Sequence, residues 1–221
     1  MACNCPLPNI LTDITGTGCP ENLGQIQRLW FVRKTGNVQW DTVDPTATGK
    51  SSAIVQPNLP TVLAGWNALY TAVAPSDEKL IATPLFGGDP QVNPAEPVFQ
   101  GGGDNSTLNG KQYYLFTPDS TFTARFDELT AEQTKQLKDL ACEDLEVYFI
   151  TDNGSIVGMR DPVDSDLWKG IPITTVPVTG SRSVQGFAAR DSNTITFQLD
   201  ADWDTYFEKQ LPTDFNALTV F

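Results

Sequence analysis

Apolar and polar residues alternate along much of this chain, and a period of two marks strands buried on one side. The clearest case lies at 194–200, where Ile195, Phe197 and Leu199 alternate with Thr194, Thr196, Gln198 and Asp200. One face of that strand belongs to a core and the other to water. The same pattern runs through 121–126, with Phe122, Ala124 and Phe126 set against Thr121, Thr123 and Arg125. The first strong strand spans 25–34; Ile26, Trp30 and Val32 are expected on one side, Leu29 and Phe31 on the other. Further strands are predicted at 80–86 and 112–116. Residues 145–151 and 156–160 form a hairpin, because Asn153-Gly154 supplies the positive φ angles of a tight turn. After a loop at 161–168, residues 169–190 give two strands. Pro172 and Pro177 hold the first of them at a sheet edge, since proline has no ladder donor.

Helical spacing is confined to two stretches. Leu63, Trp66, Leu69, Tyr70 and Val73 recur at three- and four-residue intervals after Pro60, predicting a short helix that Pro75 ends. Thr130 stands three residues before Gln133, a capping box that opens a helix over 130–142. Its inner face is expected to carry Thr134, Leu137 and Ala141 with Leu140 beside it, leaving Glu132, Lys135 and Asp139 in water. Residues 1–24, rich in Pro, Gly, Asn and Thr, read as an extended arm. Residues 35–59 and 87–111 read as long loops, and loops of that length in a compact domain are usually functional or mobile. There is no internal repeat and no domain boundary. The expected architecture is mainly β with one or two helices (α+β), a β-barrel or sandwich with a flanking helix, as a single domain over 1–221.

Charge narrows the function. The 221 residues carry 27 acids against 14 bases, a net charge of −13. That balance argues against a protein that grips nucleic-acid phosphates and against a polybasic membrane-surface protein. No apolar run approaches the ~20 residues of a membrane span. The start, Met1-Ala2-Cys3-Asn4-Cys5-Pro6, has neither a basic region nor an apolar core, so synthesis in a reducing cytoplasm is expected. The sequon Asn105-Ser106-Thr107 is then a polar loop. Cys3, Cys5, Cys19 and Cys142 read as free thiols, because zinc prefers wider Cys pairs and a fourth ligand and the chain has no histidine.

Motifs that carry chemistry fail on their spacing. Ala47-Thr48-Gly49-Lys50-Ser51 matches the end of a phosphate-binding loop, but the glycine required five positions before Gly49 is Asp44, followed by Pro45. Asp200, Asp202 and Asp204 start like a calcium loop, yet Thr205 and Leu211 occupy the glycine and glutamate positions. Without histidine, Ser-His-Asp and Cys-His systems cannot form. No carboxylate pair stands out for acid–base work. Trp30, Trp66, Trp168 and Trp203 lie among apolar neighbours and read as core. Trp40, beside Asp41 in a polar stretch, is the tryptophan expected to be exposed, where it could stack on sugars. No catalytic, cofactor or metal residue is assigned, and no enzymatic activity is expected.

From about Thr121 onward the order is strand, helix (130–142), hairpin (145–160), edge strand and alternating final strand. This layout resembles the tail tube (major tail) proteins of long-tailed bacteriophages. The turn-rich Gly101-Gly102-Gly103-Asp104-Asn105, Thr107-Leu108-Asn109-Gly110 and Leu199-Asp200-Ala201-Asp202-Trp203 are similar in style to phage structural proteins. The resemblance covers the last half of the chain well and the first half loosely. It implies a virion protein, assembled in the host cytoplasm, that forms hexameric rings stacking into a tube. Its partners would be copies of itself, other virion tail proteins and DNA in transient, non-specific passage; a membrane is not among them. An acidic lumen suits such a tube, since each phosphate held by a base would resist sliding. The polar faces at 121–125 and 194–200 are the expected lining: Thr121, Thr123, Thr194, Thr196, Gln198 and Asp200. Arg125 is the exception, expected to pair with a carboxylate or point away. The alternatives are another virion component, such as a head–tail connector or capsid decoration protein, and a carbohydrate-binding β module.

Overall fold

The computed structural model describes residues 23–33, 39–43, 55–56, 59–73, 78–102, 112–161, 163, 166–184, 186 and 190–221. The first half holds β1 (Ile26–Arg33), β2 (Gln39–Asp41), β3 (Val55–Gln56), helix α1 (Leu63–Thr71), β4 (Leu80–Ala82), β5 (Gln91–Asn93) and β6 (Val98–Gln100). Next come β7 (Tyr113–Phe116), β8 (Ser120–Asp127), helix α2 (Ala131–Asp139), β9 (Leu145–Thr151) and β10 (Ile156–Arg160). The rest is β11 (Leu167–Lys169), β12 (Ile171–Pro172), β13 (Val178–Thr179), β14 (Ser192–Leu199) and β15 (Phe207–Gln210). The protein is therefore mainly β, an α+β sandwich with two α-helices among the described residues.

A large sheet runs in the order β3-β2-β11-β10-β9-β1-β4, with β12 paired to β9 and β15 to β10. A smaller sheet runs β13-β14-β8-β5, and β6 and β7 form a separate ribbon. The small sheet packs Phe122, Ala124, Phe126, Ile195, Phe197 and Leu199 against Leu29, Phe31, Val147 and Phe149 of the large one. The alternation read in β8 and β14 holds, with every inward residue buried. In β1 it holds only in part. Gln27 is an extra residue there, since Ile26 and Arg28 pair with the consecutive Thr151 and Ile150. Such a bulge reverses the side-chain parity, so Ile26 joins Leu29 and Phe31 and not Trp30 and Val32.

The capping box forms: Gln133 N donates to Thr130 Oγ1 at 3.1 Å and Thr130 N to Gln133 Oε1 at 2.9 Å. Helix α2 gives way to a 3-10 turn over Leu140–Cys142. The tighter turn rotates Leu140 inward beside Leu137 and leaves Ala141 exposed, correcting its expected burial. The hairpin forms, but its loop is the three residues 152–154: Gly154 takes φ +80° and Asn153 does not take a positive φ, so a type I turn closed by a left-handed glycine replaces the two-residue Asn-Gly turn.

The opposite face of the large sheet is covered by α1 and the irregular segment 211–221. Here the sequence expectation for 35–59 fails: β2 is an interior strand between β11 and β3, and Trp40 is fully buried. Trp40 stacks on Trp66 with ring centroids 4.2 Å apart and donates Nε1 to Tyr148 Oη at 3.2 Å. A strand of three residues is too short to show periodicity, and its antiparallel partner β11 lies more than a hundred residues away. Gly158 is needed beneath this cluster, because a Cβ there would sit 2.6 Å from the Trp168 ring. Helix α1 ends at Thr71, leaving Val73 beyond it and exposed, while Pro75 lies outside the described residues. The strand expected at 80–86 is regular only to Ala82; the chain then follows β1 irregularly, Phe86 N donating to the Gln27 carbonyl at 2.9 Å. The span 87–111, expected to be loop, contains β5 and β6. Nor is β14 the final strand, for β15 returns to pair with β10.

Candidate functional site

The long ladder between β8 and β14 aligns Thr121 with Gln198, Thr123 with Thr196 and Arg125 with Thr194. Because cross-strand partners share a face, five of the six residues named as lumen candidates lie together on the side away from the core. Asp200 lies one residue past β14, exposed, its Oδ1 accepting from Asp202 N at 3.0 Å in a tight turn. The flanking strands extend this face. Gln91 stands opposite Thr123, Asn93 opposite Thr121, and Val178 opposite Thr196. A single row thus crosses the sheet as Gln91, Thr123, Thr196 and Val178.

Arg125 is the one Lys or Arg within these four strands. Its Nε lies 3.1 Å from Asp127 Oδ1, and Nη2 donates to the Gly87 carbonyl at 3.0 Å. The guanidinium is therefore matched by a carboxylate on its own strand, which leaves the face without an unpaired cation among the described residues. Among the described residues no further strand pairs with either edge of the sheet. At β13 the exposed Val176 and Val178 make an apolar rim. At β5 a cleft of about 760 Å³ is lined by Ile26, Pro90, Val92 and the half-buried Trp203.

Gln91, Asn93 and Val178 escaped the sequence reading. Their strands of two or three residues sit among prolines and glycines, and only pairing with β8 and β14 reveals their direction. The Asp200–Asp204 run forms a turn, and among the described residues no group of three His, Cys, Asp or Glu is placed to hold a metal. Cys142 is exposed, while Cys3, Cys5 and Cys19, the arm at 1–22, the Ala47–Ser51 motif and the Asn105 sequon lie outside the described residues. Among the described residues no helix is long and apolar enough to cross a membrane. No known family model matches this chain, and no curated protein matches it.

Proposed function

We propose that this chain is a virion structural protein, a tail tube subunit whose hexameric rings stack into a channel for the genome. The observation that carries the reading is the outer face of the small sheet: Thr121, Thr123, Thr194, Thr196 and Gln198 in one register, with Arg125 neutralised by Asp127. Hydroxyl and amide groups are well hydrated and hold no counter-charge for a phosphate. A duplex presents one charge per ~1.7 Å, so a wall without free cations keeps the sliding barrier low. The net charge of −13 per copy, repeated around a ring, favours passage over retention. Two edges on opposite sides of one sheet, neither paired with a further strand among the described residues, suit head-to-tail association, which closes into rings when the rotation permits. Other virion tail proteins would cap the stack. The carbohydrate-module alternative loses its best residue, because Trp40 is buried.

Negative-stain microscopy of the purified chain at high concentration is expected to reveal rings or tubes. A Thr123→Lys/Thr196→Lys double variant should still assemble, yet slow genome ejection, most strongly at low salt. A chain that never forms rings, or lysines that leave ejection unchanged at low salt, would remove the reading.

A further inference from the structure

The ribbon of β6 and β7 carries apolar side chains on both of its faces and packs them into neither core. Phe99 faces Tyr114 on one side, ring centroids 6.0 Å apart. Val98 with Phe116, and Gln100 with Tyr113, lie on the other, because residues two apart along the regular β6 share a face. Phe99, Tyr113, Tyr114 and Phe116 are 52, 55, 46 and 55% exposed. Neither strand contains a charged residue, in a chain of net charge −13.

From this pattern we infer that the ribbon is an assembly clamp, held between two other copies of this chain, one against each face. The inference rests on the self-assembly reading above for the identity of the partner. Three physical points support it. Copies that each carry −13 repel one another, so close approach is cheapest where the surface bears no charge, as here. Four half-exposed aromatics offer roughly 400 Å² of surface, at ~150–250 Å² per ring. That is about half the ~800 Å² each partner contributes to a stable interface, and it is divided between two faces. A single pairwise contact through one face is therefore weak, and the ribbon becomes a strong anchor only when both faces are covered, as in a closed or stacked array. A lipid bilayer would also cover both faces, but among the described residues no third strand pairs with the ribbon's two edges. Their unpaired N–H and C=O groups would be stranded in hydrocarbon, so a protein partner is the occupant that fits.

The test is sedimentation velocity and negative-stain microscopy on the full chain and three variants: Phe99→Asp/Tyr114→Asp on one face, Tyr113→Asp/Phe116→Asp on the other, and all four together. Each single-face variant is expected to stop at small oligomers, with at least a tenfold loss of large assemblies. The fourfold variant should remain monomeric with an unchanged melting temperature, since these residues belong to neither core. Association of the parent chain should strengthen with salt, as screening reduces repulsion between like-charged copies. Wild-type assembly by the fourfold variant would overturn the clamp, as would a loss confined to one face. So would a parent chain that stays monomeric and floats with neutral phosphatidylcholine vesicles. Parent assemblies that depend on both faces but form no rings would preserve the clamp and defeat the tube reading alone.

Discussion

Against the face of the large sheet that carries Leu29, Phe31, Val147 and Phe149 lies a second sheet. Against the face that carries Trp30, Trp40, Tyr148 and Trp168 lie the short helix α1 and the irregular segment 211–221. The side chains differ accordingly. Between the sheets they are aliphatic or phenylalanine, with Phe122 stacked on Phe149 and Phe197 at 5.5 and 4.7 Å. Two regular ladders satisfy their own backbone groups, so the side chains between them need no polar atoms. The second core has an irregular cover whose carbonyls need donors, and its side chains supply them. Trp66 Nε1 donates to the Pro60 carbonyl at 2.7 Å. Buried Arg28 donates to the carbonyls of Thr83, Leu218 and Phe221 at 2.9–3.0 Å. That burial lowers its pKa from the ordinary arginine value. Helix α1 has no cap of its own; Asp214 accepts from Leu63 N at 2.9 Å across 151 residues. Tryptophan suits this role because it joins a large apolar body to one N–H.

The aromatic core centres on Trp66, whose ring touches those of Trp30, Trp40, Tyr148 and Trp168. Trp66→Ala should cost about 3–5 kcal/mol in urea unfolding. The near-UV circular dichroism of the tryptophans should collapse before the far-UV β signal. Coincident loss of both signals would mean that the two cores melt as one unit.

Leu137→Ala tests the sandwich side, where α2 closes one end of the core. A cost of about 2–3 kcal/mol is expected, the lower part of the usual range for leucine, because only one turn of helix reaches inward. A change below about 0.5 kcal/mol would place that face outside the core.

A finer test separates area from hydrogen bonding within the aromatic core. Trp66 Nε1 is bonded, whereas Trp30 Nε1 finds no partner among the described residues. Trp66→Phe should therefore cost more than Trp30→Phe by about 1 kcal/mol, the net worth of one such bond. Equal costs would show that the indole N–H contributes nothing to holding the cover.

The smallest effect concerns the pair that joins β1 to the end of the 3-10 turn. Arg33 Nε and Nη2 meet Glu143 Oε2 and Oε1 at 2.6 and 2.7 Å, and this bidentate contact lowers the Glu143 pKa. A carboxyl whose folded pKa is depressed contributes stability above its unfolded value, and loses that contribution as pH falls through the folded one. Arg33→Met should remove about 0.5–1 kcal/mol at neutral pH and flatten the acid limb below about pH 4.5. Glu78 has the opposite sign: burial raises its pKa, so its charge weakens the fold as pH rises out of the ordinary carboxylate range. An unchanged acid limb in Arg33→Met would assign the acid sensitivity to other carboxylates.

How much could be read in advance follows from the same division. Strands β8 and β14 are eight residues long, enough for a period of two to show, whereas β9 and β10 are buried on both faces and were marked by the glycine turn between them. The Thr130–Gln133 box and the glycine turn between β9 and β10 are local signals; the box holds as read, and the hairpin forms with Gly154 alone of its loop at positive φ. The five aligned residues of the candidate face were legible for the same reason. Trp40 was not, because its neighbours Asp41 and Gln39 are polar yet buried along a three-residue strand. Nor was Ile26, whose side is decided by one bulged residue held by the Phe86 amide. The β class, the alternating pair β8 and β14 and the capped helix were legible in the chain, since each depends on interactions within a few residues or on strict periodicity. The aromatic core, the extension of the polar face through β5 and β13, and the separation of the β6–β7 ribbon emerge from long-range pairing alone. Those features arise from short segments whose conformation has little local preference and is set by distant partners.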